Sequence, residues 1–216
     1  MKMKLAALLL SAAAVFGCLD CGAAVPAMFR YDGISARADV RAGAGVSNMY
    51  YVDTQTGEAG SFERVPAWSA EAGVTVNFLR GVALSSGLGI VSRGARDASL
   101  LDNRYSSTWL RVPFMLTLQA GSRRSVRAYL QGGCYGALGV GGKTLNEVSE
   151  YPFFGDDAVA RPLDFGLSAG AGAVILDHFL IGVQYERGLV DISAGNIARL
   201  SSLSNETLSV SVGYVF

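Results

Sequence analysis

Histidine occurs once in this chain of 216 residues, cysteine three times and proline five times, and only 17% of the residues are charged. The single His178 allows no paired-histidine metal site and no Ser-His-Asp relay, and beside Asp177 it reads as a solvated turn residue. Cys18-Leu19-Asp20-Cys21 has the spacing of a redox or zinc pair, but no second pair exists and the motif adjoins an apolar N-terminal run. Gly139-Val140-Gly141-Gly142-Lys143-Thr144 lacks the spacing of a phosphate loop, and Asp156-Asp157 reads as a solvated acidic pair. No catalytic residues, cofactor or metal are predicted. Eighteen basic residues balance eighteen acidic ones, so there is no cationic excess to hold nucleic acid.

Long hydrophobic runs are also missing, apart from one near the start. Lys2 and Lys4 precede a mostly apolar stretch, Leu5–Phe16, of 12 residues. That is the length of a secretory h-region and well short of the ~20 residues a membrane helix needs. Residues 1–24 are predicted to be a signal peptide, with small residues offering cleavage between 23 and 27, and 28–216 to be one domain. Val15-Phe16-Gly17-Cys18 loosely resembles a lipobox, which would make Cys18 a lipidation site. Ordinary cleavage leaves Cys134 as the one thiol, a small apolar residue facing lipid.

What the chain does have is glycine, 27 residues of it, and strict alternation. Gly costs a helix about 1 kcal/mol per position relative to Ala. A strand has a side-chain period of two. From Ile34 to Val46 every second residue is apolar, while Arg37, Asp39 and Arg41 fall in the other set. The pattern predicts strands over Ile34–Tyr50, Trp68–Phe78, Val82–Val91, Thr108–Ala120, Val126–Leu138, Phe165–Ile175, Phe179–Arg187 and Glu206–Phe216. Pro113, inside the fourth, predicts a bulge or an edge-like irregularity. Short connections alternate with long polar ones, Tyr51–Ala67, Ser92–Ser107, Gly139–Asp164 and Gly188–Asn205. Short turns at one rim and long loops at the other are the habit of outer-membrane barrels.

A soluble barrel also alternates, with its apolar set turned inward. Here the second set is Gly, Ser, Thr and ions, too small and too polar for a soluble core. Phe78, Phe179 and Phe216 mark one end of the oily stripes, and Trp68, Phe165 and Tyr185 the other, as two interfacial girdles would. The fold predicted is all-β: an eight-stranded antiparallel transmembrane β-barrel. Its inward ions are Arg37, Asp39, Arg41, Glu71, Arg111, Arg127, Asp164 and Glu186. Eight strands enclose a lumen just wide enough for side chains to fill, so these ions are expected to pair as a structural plug, with a narrow polar pore as the alternative.

Several strands are similar to those of a known family. Trp109-Leu110-Arg111-Val112-Pro113-Phe114-Met115-Leu116 resembles the "YLRIPLLL" strand of PorT-like outer-membrane β-barrel domains. Ala128–Gly133 resembles their "PYLFAG" strand, Phe165–Gly172 their "DFGLVLGAG" strand and Gly182–Leu189 their "GVRYEYGL" strand. The resemblance covers about Leu110–Phe216. Ile34–Arg93 carry no motif of that family, so an OmpW-like or OmpX-like barrel is the alternative. It implies an eight-stranded barrel in the outer membrane and supplies no catalytic residues. Leu208, Val210, Val212, Tyr214 and Phe216 resemble the terminal strand that the outer-membrane assembly machinery recognises. The expected role is structural or surface-interacting through the long loops, above all Tyr51–Ala67 and Gly139–Asp164. The alternative is a small-solute, porin-like channel of OmpW type. The expected partners are outer-membrane lipid, the assembly machinery and an unidentified extracellular ligand, with the protein a monomer.

Overall fold

The computed structural model describes residues 33–53, 57–97, 103–122, 125–145, 150–154, 159–194 and 200–216. The leader, Cys18 and Asp156-Asp157 lie outside them. Ten strands follow in order: β1 (Ser35–Asp53), β2 (Ala59–Ser61), β3 (Val65–Leu79), β4 (Val82–Asp97), β5 (Asn103–Gly121), β6 (Val126–Leu145), β7 (Glu150–Pro152), β8 (Leu163–Ile175), β9 (Phe179–Gly188) and β10 (Leu200–Val215). Among the described residues no helix is long and apolar enough to cross a membrane.

Eight strands are long, and each pairs antiparallel with its neighbour. β10 closes the ring on β1, from Asp39↔Val215 through Val52↔Ser202. Closure leaves no unpaired edge, which strands in hydrocarbon require because lipid offers no hydrogen bonds. β2 and β7 extend β1 and β6 as short hairpins beyond the ring. The tight turns, the start of β1 and the end of β10 share one rim, and the long connections share the other.

The eight strands fall where alternation predicts them, but most run further toward the long-loop rim. β4 continues six residues past Val91, and β6 continues seven past Leu138. Segments of the long connections are therefore strand: Tyr51–Asp53, Ala59–Ser61, Val65–Ala67 and Gly139–Leu145 all pair.

The two faces are inverted relative to a soluble barrel. Leu84, Leu88, Phe114, Leu116, Leu167, Ile181, Val183, Val210 and Val212 are exposed on the outer wall. Asp39, Arg93, Arg111, Asp164 and Glu186 are buried within it. A wall this apolar is stable against hydrocarbon and not against water.

Pro113 does not make a bulge. The β4–β5 ladder skips Gly87 and Leu88 opposite Val112 and Pro113, then resumes in the same register. Proline lacks the N–H that a rung needs, and the Ser86 hydroxyl donates to the Pro113 carbonyl at 2.8 Å instead. The register slip in this region lies at Thr108/Trp109, where β6 carries the extra residue.

One turn uses left-handed backbone without glycine. Between β8 and β9, Leu176 has φ 51° and Asp177 has φ 65°, and the His178 N–H donates to the Ile175 carbonyl at 3.2 Å. Positive φ at both central positions marks a type I′ hairpin, where Asn-Gly is the usual choice.

Candidate functional site: the charged lumen and its aromatic cap

The inward set of each strand meets around the barrel axis, and its ions form a chain. At the short-turn rim Arg37 donates twice to Asp177, at 2.5 and 2.8 Å. Arg127 reaches the same carboxylate at 3.3 Å. Deeper in, Arg41 donates to Asp39 at 2.7 Å and lies 3.7 Å from Glu71. Arg111 bridges Glu71 and Glu186. Arg93 then bridges Glu186 at 2.7 Å and Asp164 at 2.8 Å, with its side chain wholly buried. Tyr135 and Asn205 donate to that same Asp164 oxygen at 3.1 and 3.0 Å.

Charge alternates along this path: Asp39, Arg41, Glu71, Arg111, Glu186, Arg93, Asp164. Four carboxylates and three guanidiniums leave it one charge negative. The Arg37–Asp177–Arg127 group is one charge positive, so the two groups together are neutral. A buried ion without a partner costs several kcal/mol. Interleaved partners drawn from β1, β3, β4, β5, β8 and β9 avoid that cost. The same pairs tie distant parts of the wall across the axis, since Arg93 and Glu186 are 93 residues apart.

The structure divides the eight predicted ions into two groups. Asp39, Arg41, Glu71, Arg111, Asp164 and Glu186 join one chain, whereas Arg37 and Arg127 gather separately around Asp177. Sequence reasoning missed two members. Arg93 continues the inward parity of Ala83, Ser85, Gly87, Gly89 and Val91, but lies two residues beyond the Val91 at which the alternation ends the strand. Asp177 sits in a turn, where parity carries no information.

Above the ions, toward the long-loop end, apolar side chains pack together. Met49, Tyr105, Trp109, Tyr135, Phe153, Ile192 and Leu203 form a buried cluster, with Tyr51, Phe62, Phe154 and Val159 packed against it. Phe153 and Phe154 meet edge to face at 4.9 Å, and Phe154 meets Trp109 in the same way at 4.9 Å. Two glycines make room for these rings. A Cβ on Gly139 would fall 2.4 Å from the Phe154 ring, and one on Gly166 would fall 2.7 Å from the Tyr135 ring. Arg93 joins the two layers, its guanidinium carbon 4.8 Å from the Tyr135 ring centre and 6.0 Å from that of Trp109. Met49, Trp109 and Tyr135 come from strands expected from the alternation, whereas Tyr105, Phe153, Ile192 and Leu203 come from segments expected to be long polar connections.

Toward the short-turn rim the lumen is looser. Thr75, Ser85 and Thr117 form a hydroxyl relay at 3.0 Å spacings, and Gln119 donates to Asn77 at 3.3 Å. They line a cavity of about 40 Å³ together with Arg37, Arg41 and Arg127. Among the described residues, no group of three or more His, Cys, Asp and Glu side chains could hold a metal ion. His178 stacks on Tyr214 on the wall near the short-turn rim, centroids 5.3 Å apart, and its Nδ1 lies 2.9 Å from the Val215 carbonyl. Of the terminal-strand residues, Leu208, Val210, Val212, Tyr214 and Phe216 are all exposed on the outer wall, and the Phe216 N–H donates to Ala38 at 2.9 Å.

Among solved structures, Neisserial surface protein A (NspA) is similar at 11% identity and a TM-score of 0.48, over 85% of this chain and 99% of that one. Ail, the attachment invasion locus protein of Yersinia pestis, gives 14% and 0.40, over 83% of this chain and 99% of its own. OprG from Pseudomonas aeruginosa gives 11% and 0.43, over 88% and 98%. No curated protein matches. The family described as "Outer membrane protein beta-barrel domain" matches residues 64–194, which span β3 through β9. With its oily wall, closed strand ring and charged lumen, the chain belongs to that family of outer-membrane β-barrels, and its place is the cell outer membrane.

Proposed function

We propose that this protein is a closed barrel that acts at the outer rim as a surface-interaction element, and that it is neither a pore nor an enzyme. The observation that carries this reading is the pair of seals in series within the wall, the ion chain and the aromatic cap. Among the described residues, cavities lined by lumen side chains measure about 40, 10 and 10 Å³. An enclosed water needs about 10–15 Å³, so they hold a few waters and pass no solute.

The rim offers contact surface outside the cap. The β6–β7 hairpin projects beyond the ring, braced by Lys143 and Glu150 at 3.3 Å, and carries an exposed Tyr151. Leu163, Leu189 and Val190 are exposed near the same rim. Long loops on a rigid scaffold are where such barrels carry function. Within the family, the strings Trp109–Leu116, Phe165–Gly172 and Gly182–Leu189 favour the PorT-like branch, which brings no defined activity. We further infer that the protein is a monomer in outer-membrane lipid, and that its exposed last strand is the element the assembly machinery reads by strand addition.

Two measurements test the reading. Refolded protein in planar bilayers is expected to give no unitary conductance; discrete channel openings would favour the small-solute channel instead. Cells displaying the protein are then compared with cells in which a Gly-Ser turn replaces residues 144–151. Their binding is measured to immobilised matrix proteins and glycosaminoglycans. Equal binding by both, or none by either, would overturn a contact role for the hairpin.

A further inference from the structure

The cavity of about 40 Å³ near the short-turn rim is walled by more cation than anion. Arg37, Arg41 and Arg127 line it, and among the described residues Asp39 is the one carboxylate in that wall. Asp177 stands at the mouth, where Arg37 and Arg127 share it. Counting it leaves three guanidiniums to two carboxylates. Glu71 lies 3.7 Å from Arg41, but it accepts its hydrogen bond from Arg111.

Three donors in this wall have no hydrogen-bond partner among the described residues. Arg41 donates through Nε alone, to Asp39 at 2.7 Å, so its two terminal NH2 groups are unspent. The Tyr129 hydroxyl and the Gln131 amide make no hydrogen bond, although these residues are only 8% and 7% exposed. Buried polar groups are nearly always bonded, so two such side chains facing one cavity point to something that bonds them there. Tyr129 and Gln131 share the inward face of β6 with Arg127, and Arg41 and Gln131 also line the adjoining space of about 10 Å³. Glycines keep the room around them open. A Cβ on Gly172 would fall 2.5 Å from the Tyr129 hydroxyl, and one on Gly170 would fall 3.1 Å from Gln131 Nε2.

We propose that this vestibule binds a small oxyanion of the size of phosphate. The terminal N–H groups of Arg41, the Tyr129 hydroxyl and the Gln131 amide donate to its oxygens, while Arg37 and Arg127 add positive field from the mouth. A guanidinium matches two oxygens of such an anion with two parallel N–H groups. About 40 Å³ is room for about three waters, which suits one small oxyanion and excludes a sugar or a peptide. Short turns face the periplasm in barrels of this class, so the anion enters from there. It goes no further, because Arg41, Glu71 and Arg111 bridge the lumen above it. The site concerns the short-turn end alone and stands whether or not the outer rim makes contacts.

Titration calorimetry of the refolded protein in nonionic micelles, with inorganic phosphate as titrant, reads the site directly. Each variant is first checked for folded-barrel mobility on an unheated gel. The native protein should bind one phosphate saturably. Tyr129→Phe and Gln131→Leu remove no hydrogen bond of the fold, so both should fold. Each should weaken phosphate binding about tenfold, the worth of a hydrogen bond to a charged group, and the double variant should lose it. Arg104→Gln, on β5 toward the opposite rim, should bind as the native protein does. Phosphatidylglycerol added to the micelles should leave phosphate binding unchanged, because a lipid headgroup does not reach inside the ring. No saturable heat from phosphate in the native protein would overturn the site. So would native affinity in the double variant, or an equal loss in Arg104→Gln. Competition by phosphatidylglycerol would overturn the assignment to a free anion.

Discussion

Arg93 is the residue on which the charged lumen turns. It is wholly buried, it holds two carboxylates, and its upper face touches two rings of the cap. Replacing it with Met leaves Asp164 buried with only Tyr135 and Asn205 to solvate it, and leaves Glu186 with Arg111 alone. Breaking a buried pair by removing one partner costs about 3–5 kcal/mol, so Arg93→Met should lower the urea midpoint in detergent micelles sharply. Arg104→Met, on the exposed outer face of β5, should leave the midpoint near native; equal midpoints would sink the idea that the ions hold the barrel together. Strain at the β8–β9 turn gives an opposite case. Leu176 occupies left-handed backbone that costs a non-glycine residue about 1–2 kcal/mol, and its side chain is exposed. Leu176→Gly should therefore raise the same midpoint, by about 1 kcal/mol once the added flexibility of the unfolded chain is offset. The neighbouring Asp177 must stay, because it holds Arg37 and Arg127. Most lumen residues were legible from parity alone, because a period of two assigns a face to every residue of a strand. Arg93 obeys the same parity but lies past Val91, where the alternation of the sequence ends and β4 does not. Asp177 was not legible, since a turn has no faces.

At the scale of the element, the wall is most interrupted between β4 and β5. Strand-length alternation located all eight long strands, because lipid on one side and ions on the other enforce it over the whole height. It said nothing about rungs, which depend on the backbone. Pro113 removes one donor, Gly87 and Leu88 lose their β5 partners, and the Ser86 hydroxyl covers the free carbonyl. The register survives because the strands on either side of the gap stay locked, by Ser86↔Phe114 below and Gly89↔Arg111 above. Pro113→Ala restores an N–H where the partner strand already passes. It should slow hydrogen–deuterium exchange at the amides of Ser86–Gly89 and add about 0.5–1.5 kcal/mol, the net worth of a hydrogen bond. Unchanged exchange there would mean that the gap arises from the twist of the wall rather than from the proline. The extensions of β4 and β6 toward the long-loop rim escaped the pattern because their outward residues turn polar once they leave the apolar belt, as Arg96 and Lys143 do.

For the whole molecule, the consequence of closing a ring of eight strands is that every inward side chain must fit one narrow axis. The chain meets this with three layers: a hydroxyl-lined vestibule, a lattice of alternating ions and an aromatic cap. The first two could be read from the sequence as an inward polar set. The cap could not, because Phe153, Phe154 and Ile192 lie in segments without strand parity and reach the lumen only when those segments fold back over it. Two seals in series predict a specific kind of redundancy. Phe153→Ala with Phe154→Ala removes rings of the cap but leaves Arg93 with both carboxylates, and should remain silent in planar bilayers. Arg93→Ser with Asp164→Ser removes one cation and one anion, leaving Glu186 paired with Arg111, and should also remain silent beneath an intact cap. Only the four changes together open a continuous path from the outer rim to the vestibule, and only that variant should show unitary conductance. If either pair alone conducted as well as the fourfold variant, the layers would not be independent barriers, and the lumen would be held shut by a single constriction.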